Sequence, residues 1–238
     1  MSRLEIVYYT DPLCCWSWCL EPVIQQVRNE FGDEISWRYC MGGLIPGWKT
    51  FVDPVNHVTR PLQMGPVWMH ASVVGDITID SNLWYYDPPA SSYPACVSVK
   101  AAELQGAMYG ERYLSLLREA CMVKRINIAK KDELTKLAFQ LKQLSPRFDV
   151  EMFSRDLVNG SGAAAFRRDL DEVNTRQIYR FPTLLLKSGT ESIIAMGFRP
   201  HHVIRKLIID VQRRPSKKHG DIMEASVAQP NQKSQGQE

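Results

Sequence analysis

The chain has no long apolar run. No stretch approaches the ~18 to 20 consecutive apolar residues that a membrane-spanning helix needs. The first apolar run, residues 4–9, is too short for the core of a secretory leader and reads as a core strand instead, so a cytoplasmic location is expected. Charge of one sign is also scarce. The formal net charge is +3 over 238 residues, and part of it sits near the C-terminus at Arg213, Arg214, Lys217 and Lys218. That is not the footprint of a nucleic-acid-binding protein. Cysteine pairs at zinc spacing are missing, and His57, His70, His201, His202 and His219 are scattered, so no metal site is expected. In a reducing compartment the six cysteines, at 14, 15, 19, 40, 96 and 121, should be thiols rather than a disulfide framework. One local absence matters more. A redox helix carries its second cysteine three residues after the first, and here that place is taken by Ser17.

What is present is an ordinary globular composition, 45% hydrophobic and 23% charged, with room for one large domain or two small ones. Residues 4–9 are predicted as a strand, and a helix is expected from about 18 to 31. Its apolar face carries Val23, Ile24, Val27 and Phe31, Pro22 kinks it and Gly32 stops it. Residues 35–41 read as a second strand, and strand–helix–strand at this length implies parallel pairing through a right-handed crossover. From 49 to about 89 the periodicity is weak and short helices and loops are expected. Helical patterns follow at 95–105, 111–123, 131–144, 150–157 and 163–176. A β-type hairpin is predicted from 182–187 and 192–196 across Ser188-Gly189-Thr190, then a last helix at 201–213. Residues 215–238 are polar and expected to be disordered. The expected organisation is one discontinuous domain, 1–55 plus 176–214, interrupted by a helical domain over 56–175.

The chemistry concentrates at the first strand-to-helix junction. Cys14 precedes the first helical turn, where unpaired N–H groups and the helix dipole favour an anion, so its thiol is expected to be the nucleophile in thiolate form. Cys15 points elsewhere. Ser17 can donate a hydrogen bond to a thiolate but cannot form a disulfide. A vicinal bridge to Cys15 requires a strained ring, and Cys19 lies too far along the helix to reach Cys14 in disulfide geometry. The chemistry that remains is monothiol exchange with an external resolving thiol. Cys40, Cys96 and Cys121 read as core. Trp16 and Trp18 flank the thiol as an apolar rim that serves either substrate contact or packing. Asp11 is near enough to influence protonation, although Asp-Pro before a turn is also a common local motif. Far downstream, Phe181-Pro182-Thr183 opens a strand. An X-Pro-Thr segment in that place, paired with a junction cysteine, is the pattern of a thioredoxin-like thiol site with a cis-proline.

These residues resemble the DsbA-like branch of the thioredoxin superfamily. Asp11-Pro12-Leu13-Cys14-Cys15-Trp16-Ser17-Trp18 is similar to its D-P-x-C-x-x-C-[WY] signature, and Glu21-Pro22 follows as in adaptor-like members. Residues 89–95, with Ala101-Ala102 and Gln105-Gly106, resemble the helical-insert segment. Phe181-Pro182-Thr183 matches the cis-proline loop, and Gly197-Phe198-Arg199-Pro200 the turn before the last helix. The likeness covers nearly all of 4–213. It is nearest the cytoplasmic group of FrnE-type dithiol isomerases and the YjbH-type adaptor of the ClpXP protease. The resemblance implies an α/β thioredoxin-like fold with an inserted helical domain. Phe181 and Pro182, with Trp16 and Trp18, would contact substrate; Cys14 and Ser17 would carry the chemistry.

Three functions follow as expectations. The first is thiol–disulfide oxidoreductase or isomerase chemistry on protein thiols through Cys14. The second is a non-catalytic adaptor that presents a partner protein to a protease. The third is an enzyme similar to kappa-class glutathione transferases. None requires a bound cofactor, and glutathione or another low-molecular-weight thiol enters as co-substrate.

Overall fold

The computed structural model describes residues 4–213, and the segment expected to be disordered, 215–238, lies outside them. Four strands form one sheet in the order β2-β1-β3-β4: β1 (Leu4–Thr10), β2 (Ile35–Met41), β3 (Thr183–Ser188) and β4 (Glu191–Met196). β1 and β2 are parallel, joined across the sheet by α1 (Cys15–Phe31), while β1 pairs antiparallel with β3 and β3 with β4. The β1–β3 register runs up to Tyr9 opposite Thr183. It therefore lays the chain leaving β1, residues 10–14, beside the chain entering β3, residues 181–182. That single register builds the site.

Between β2 and β3 the chain is helical: α2 (Met64–Gly75), α3 (Leu83–Tyr86), α4 (Tyr93–Glu103), α5 (Ala107–Met122), α6 (Lys131–Leu144), α7 (Val150–Val158) and α8 (Ser161–Thr175), with α9 (His201–Arg213) after the hairpin. Alternation along β1 separates two cores. Leu4, Ile6 and Tyr8 face a large cluster shared with α1, α5 and α6 through Leu20, Ile24, Leu117 and Leu137. Val7 and Tyr9 face a smaller one with Cys40, Val173, Ile178 and Leu185.

Two elements depart from expectation. α1 begins at Cys15, three residues before its predicted start. Its N-cap, Cys14, makes no side-chain capping bond and its first turn holds no acid, so the usual start signals are missing. α2 is a full helix inside the segment expected to be short helices and loops. Its buried residues Met64, Trp68 and Ala71 have helical spacing. Met69, Val73 and Val74 are apolar and exposed, which erases the contrast between faces that reveals a period.

Candidate active site

The site starts from one carboxylate. Asp11, at the end of β1, is completely buried. Its Oδ1 accepts the Leu13 N–H at 2.8 Å, and its Oδ2 accepts the Leu44 N–H at 2.7 Å, the Ser92 hydroxyl at 2.8 Å and the Cys96 thiol at 3.3 Å. Burial pushes its pKa up, and these donors act against that. A short side chain bonding its own backbone two residues on makes a turn. The same carboxylate also ties the loop after β2 and the N-terminus of α4 to it. Asp11 is thus part of the scaffold of the Cys14 turn.

Cys14 is the N-cap of α1, in extended conformation, and its carbonyl accepts the Ser17 and Trp18 N–H groups at 3.1 Å each. Its thiol points across to the start of β3 and donates to the Phe181 carbonyl at 3.4 Å. The Phe181–Pro182 peptide is cis. Gly42 makes the space for Phe181: a Cβ there would lie 2.0 Å from the ring carbon Cζ. Gly42 N–H also donates to the Thr10 carbonyl at 2.7 Å. Three distant segments, 10–17, 42 and 181–182, therefore converge on one sulfur.

The electrostatics differ from expectation. Cys14 is only 4% exposed. Burial pushes its pKa above the ordinary thiol value, more than the Ser17 hydroxyl and N–H and the Arg118 charge lower it. The direction is opposite to the one expected, because burial of the sulfur disfavours the anion. Ser17 is fully buried, and its Oγ has no hydrogen-bond partner among the described residues. A bond from this hydroxyl to the Cys14 sulfur favours the anion.

All six cysteines are free. Cys19 donates to the Ala71 carbonyl at 3.2 Å and packs on Gly75, where a Cβ would come within 2.5 Å of its sulfur. It is engaged with α2, and burial pushes its pKa up to about 12. Cys15 is buried and its pKa is raised well above the ordinary value, first by burial. Cys121 and Cys40 bond the carbonyls of Pro12 and Asp169, both at 3.6 Å. The rim tryptophans are half-buried. Trp18 Nε1 donates to the Thr78 carbonyl at 3.2 Å, and Trp16 meets His70 edge-on with ring centres 5.6 Å apart. Sequence reasoning did not find Gly42, Ser92 or Arg118. Each reaches the site from far along the chain, and no local spacing announces them.

A family model described as Thioredoxin matches residues 8–204. The ClpXP adapter protein SpxH of Halalkalibacterium halodurans is 28% identical over 211 residues, which is 87% of this chain and 67% of that protein. Among solved structures, a candidate protein disulfide isomerase from Nitrosomonas europaea superposes with a TM-score of 0.73 at 21% identity, over 87% of this chain and 97% of that one. The cytosolic disulfide reductase DsbM from Pseudomonas aeruginosa, solved also with GSH, gives 0.62 at 19% identity over 87% and 95%. At these identities the structures speak for the fold, and no helix among the described residues is long and apolar enough to cross a membrane. With the family model spanning β1 through the start of α9, the chain belongs to the thioredoxin family, in the DsbA-like form of its fold.

Proposed function

We propose that the protein is a cytoplasmic monothiol thiol–disulfide oxidoreductase that exchanges protein disulfides through Cys14, with glutathione or a similar small thiol as resolving partner. The observation that carries this is the Cys14 sulfur, 3.4 Å from the Phe181 carbonyl ahead of Pro182, with the unsatisfied Ser17 hydroxyl three residues on. An extended substrate segment offering an N–H to the Phe181 carbonyl competes for the acceptor that the thiol uses at rest. The thiol then loses its proton to solvent, and the Ser17 hydroxyl bonds the thiolate. That thiolate attacks one sulfur of the substrate disulfide; one S–S bond forms, the other breaks, and the second substrate sulfur leaves as thiolate. Ser17 cannot resolve the mixed disulfide. A small thiolate attacks the substrate-side sulfur, forms a new mixed disulfide with the substrate and releases Cys14 reduced. Trp16, Trp18, Phe181 and Pro182 form the contact rim.

A second reading, a protein-binding adaptor, is favoured by the name of the SpxH relative and by the burial of the Cys14 sulfur. The test is reduction of a glutathionylated peptide with glutathione present: Cys14 attacks the glutathione sulfur, the peptide thiolate leaves, and a second glutathione thiolate releases Cys14 with formation of glutathione disulfide. Turnover that Cys14→Ser abolishes supports exchange. So does a Ser17→Cys variant that, without added small thiol, releases about one equivalent of glutathione and ends with an internal disulfide at Cys14, where the wild type stops at the mixed disulfide. Absence of turnover in the wild type, with full partner capture by Cys14→Ser, would establish the adaptor reading instead.

A further inference from the structure

A charged pair, Arg118 buried and Glu21 partly buried, lies under the Cys14 turn, and the exchange chemistry above makes no use of it. Arg118, on α5, is fully buried. Its Nη1 donates to Glu21 on α1, and its Nη2 to the hydroxyl of Thr10, the last residue of β1. Its guanidinium carbon stands 5.6 Å from the centre of the Tyr8 ring, and the Tyr8 hydroxyl in turn donates to the Ser17 carbonyl at 3.1 Å. Three residues along α5, Cys121 bonds the Pro12 carbonyl at 3.6 Å. A fixed cation is therefore laid against the connection that carries the thiol. Desolvating a guanidinium is costly, and the pairing is incomplete: Arg118 Nε has no hydrogen-bond partner among the described residues. An apolar side chain would pack this position at lower cost.

On the reading that Cys14 is the exchanging thiol, we propose that the buried Arg118 and its partner Glu21 are a charge pair that sets its reactivity. Arg118 acts as a positioning residue that supports the thiolate, and Glu21 holds that support in check. An arginine keeps its proton in any protein environment, so its charge is permanent. In a buried site it is felt over distances at which water would quench it. The groups facing Cys14 include Asp11, which opposes the thiolate, Ser17 and Arg118, which favour it, and the thiols of Cys15 and Cys19 on α1. Those facing Arg118 are Tyr8 on β1, Glu21 on α1, Tyr39 on β2 and Cys14 itself. Glu21 also faces Glu111 on α5 and Arg28 on α1.

The test reads the thiol directly and does not depend on turnover. Alkylation of Cys14 by iodoacetamide is followed by mass spectrometry from about pH 6 to pH 11, a range that extends above the ordinary thiol pKa, and the rate at neutral pH is compared where a midpoint lies beyond it. The proteins are wild type, Glu21→Gln, Glu21→Gln/Arg118→Met and Arg118→Lys, each with a thermal melt. Glu21→Gln should lower the midpoint and speed alkylation at neutral pH about threefold or more. Adding Arg118→Met should reverse this by about tenfold, one pKa unit. Arg118→Lys keeps the charge and should stay near wild type. The single and double Glu21 variants differ by the cation and by its hydrogen bond to Thr10, and Arg118→Lys separates the two: a role for the charge keeps its midpoint near wild type, whereas a purely structural role of the guanidinium moves it as Arg118→Met does. Equal midpoints in the two Glu21 variants, or an Arg118→Lys midpoint moved in that way, overturn the proposal. Should the double variant fail to fold, an unchanged midpoint in Glu21→Gln overturns it and a lowered one supports it. Midpoints that move as stated in a protein without exchange activity sink the function proposed above and leave this inference standing.

Discussion

The residues of the site differ in how much of their role is local. Cys14 and Ser17 are spaced by one helical turn, and their facing at the start of α1 follows from that spacing alone. Phe181 is different, because its carbonyl meets the thiol only if its ring can lie over residue 42. Glycine at 42 permits this, since a Cβ would stand 2.0 Å from the ring carbon Cζ. Gly42→Ala should displace the ring and cost about 1–3 kcal/mol, the usual range for overpacking. It should also free the Cys14 thiol from the Phe181 carbonyl, and so change the alkylation rate of Cys14 alone among the six cysteines. Denaturant unfolding measures the first effect and site-resolved labelling the second. An unchanged Cys14 rate would mean that the Phe181 contact does not control the thiol.

At the scale of elements, two carboxylates join α8 to the sheet: Asp169, which accepts the Met41 N–H at 2.8 Å, and Glu172. Glu172 accepts hydrogen bonds from the Tyr9 hydroxyl at 2.6 Å, from Arg38 at 2.7 Å and from Arg176 at 3.2 Å. Burial pushes this carboxyl up, but the Arg38 and Tyr9 bonds and the charges of Arg38 and Arg176 outweigh it and hold its pKa at about 2. Because the folded value lies below the ordinary 4.5, Glu172 contributes stability above that pH and loses it as pH falls toward about 2. Glu172→Gln should therefore lower stability at neutral pH and flatten the acid loss across that window, as measured by denaturant midpoints at several pH values. A variant with the wild-type acid slope would exclude this bridge as a contributor. Element recognition succeeded where faces contrast. α6 and α9 begin and end where their patterns predict, at Lys131–Leu144 and His201–Arg213. It failed at α2, whose exposed side is as apolar as its buried one.

At the scale of the molecule, the large core runs without interruption from the sheet into the intervening helices, through Ile6, Leu20, Leu117 and Leu137. Sheet and helices therefore share the apolar surface that stabilises both. Heating should give one transition, with far-UV circular dichroism and tryptophan fluorescence superimposing. The tryptophans report on both parts, since Trp37 lies on β2 while Trp68 and Trp84 lie on α2 and α3. Two separated transitions would show that the helical segment unfolds as an independent unit.

The amino-acid order determined the strand and helix sequence, the junction cysteine, the serine in the resolving place and the X-Pro-Thr segment that answers it. These are read from spacing within a few residues, and hydrophobic period and turn chemistry act at that range. Only the tertiary structure decided the burial of the Cys14 sulfur, the clearance that Gly42 leaves for Phe181 and the presence of Arg118 beneath the turn. Each depends on how far water is excluded and on which distant side chains fill the space, and burial is a property of the packed chain as a whole.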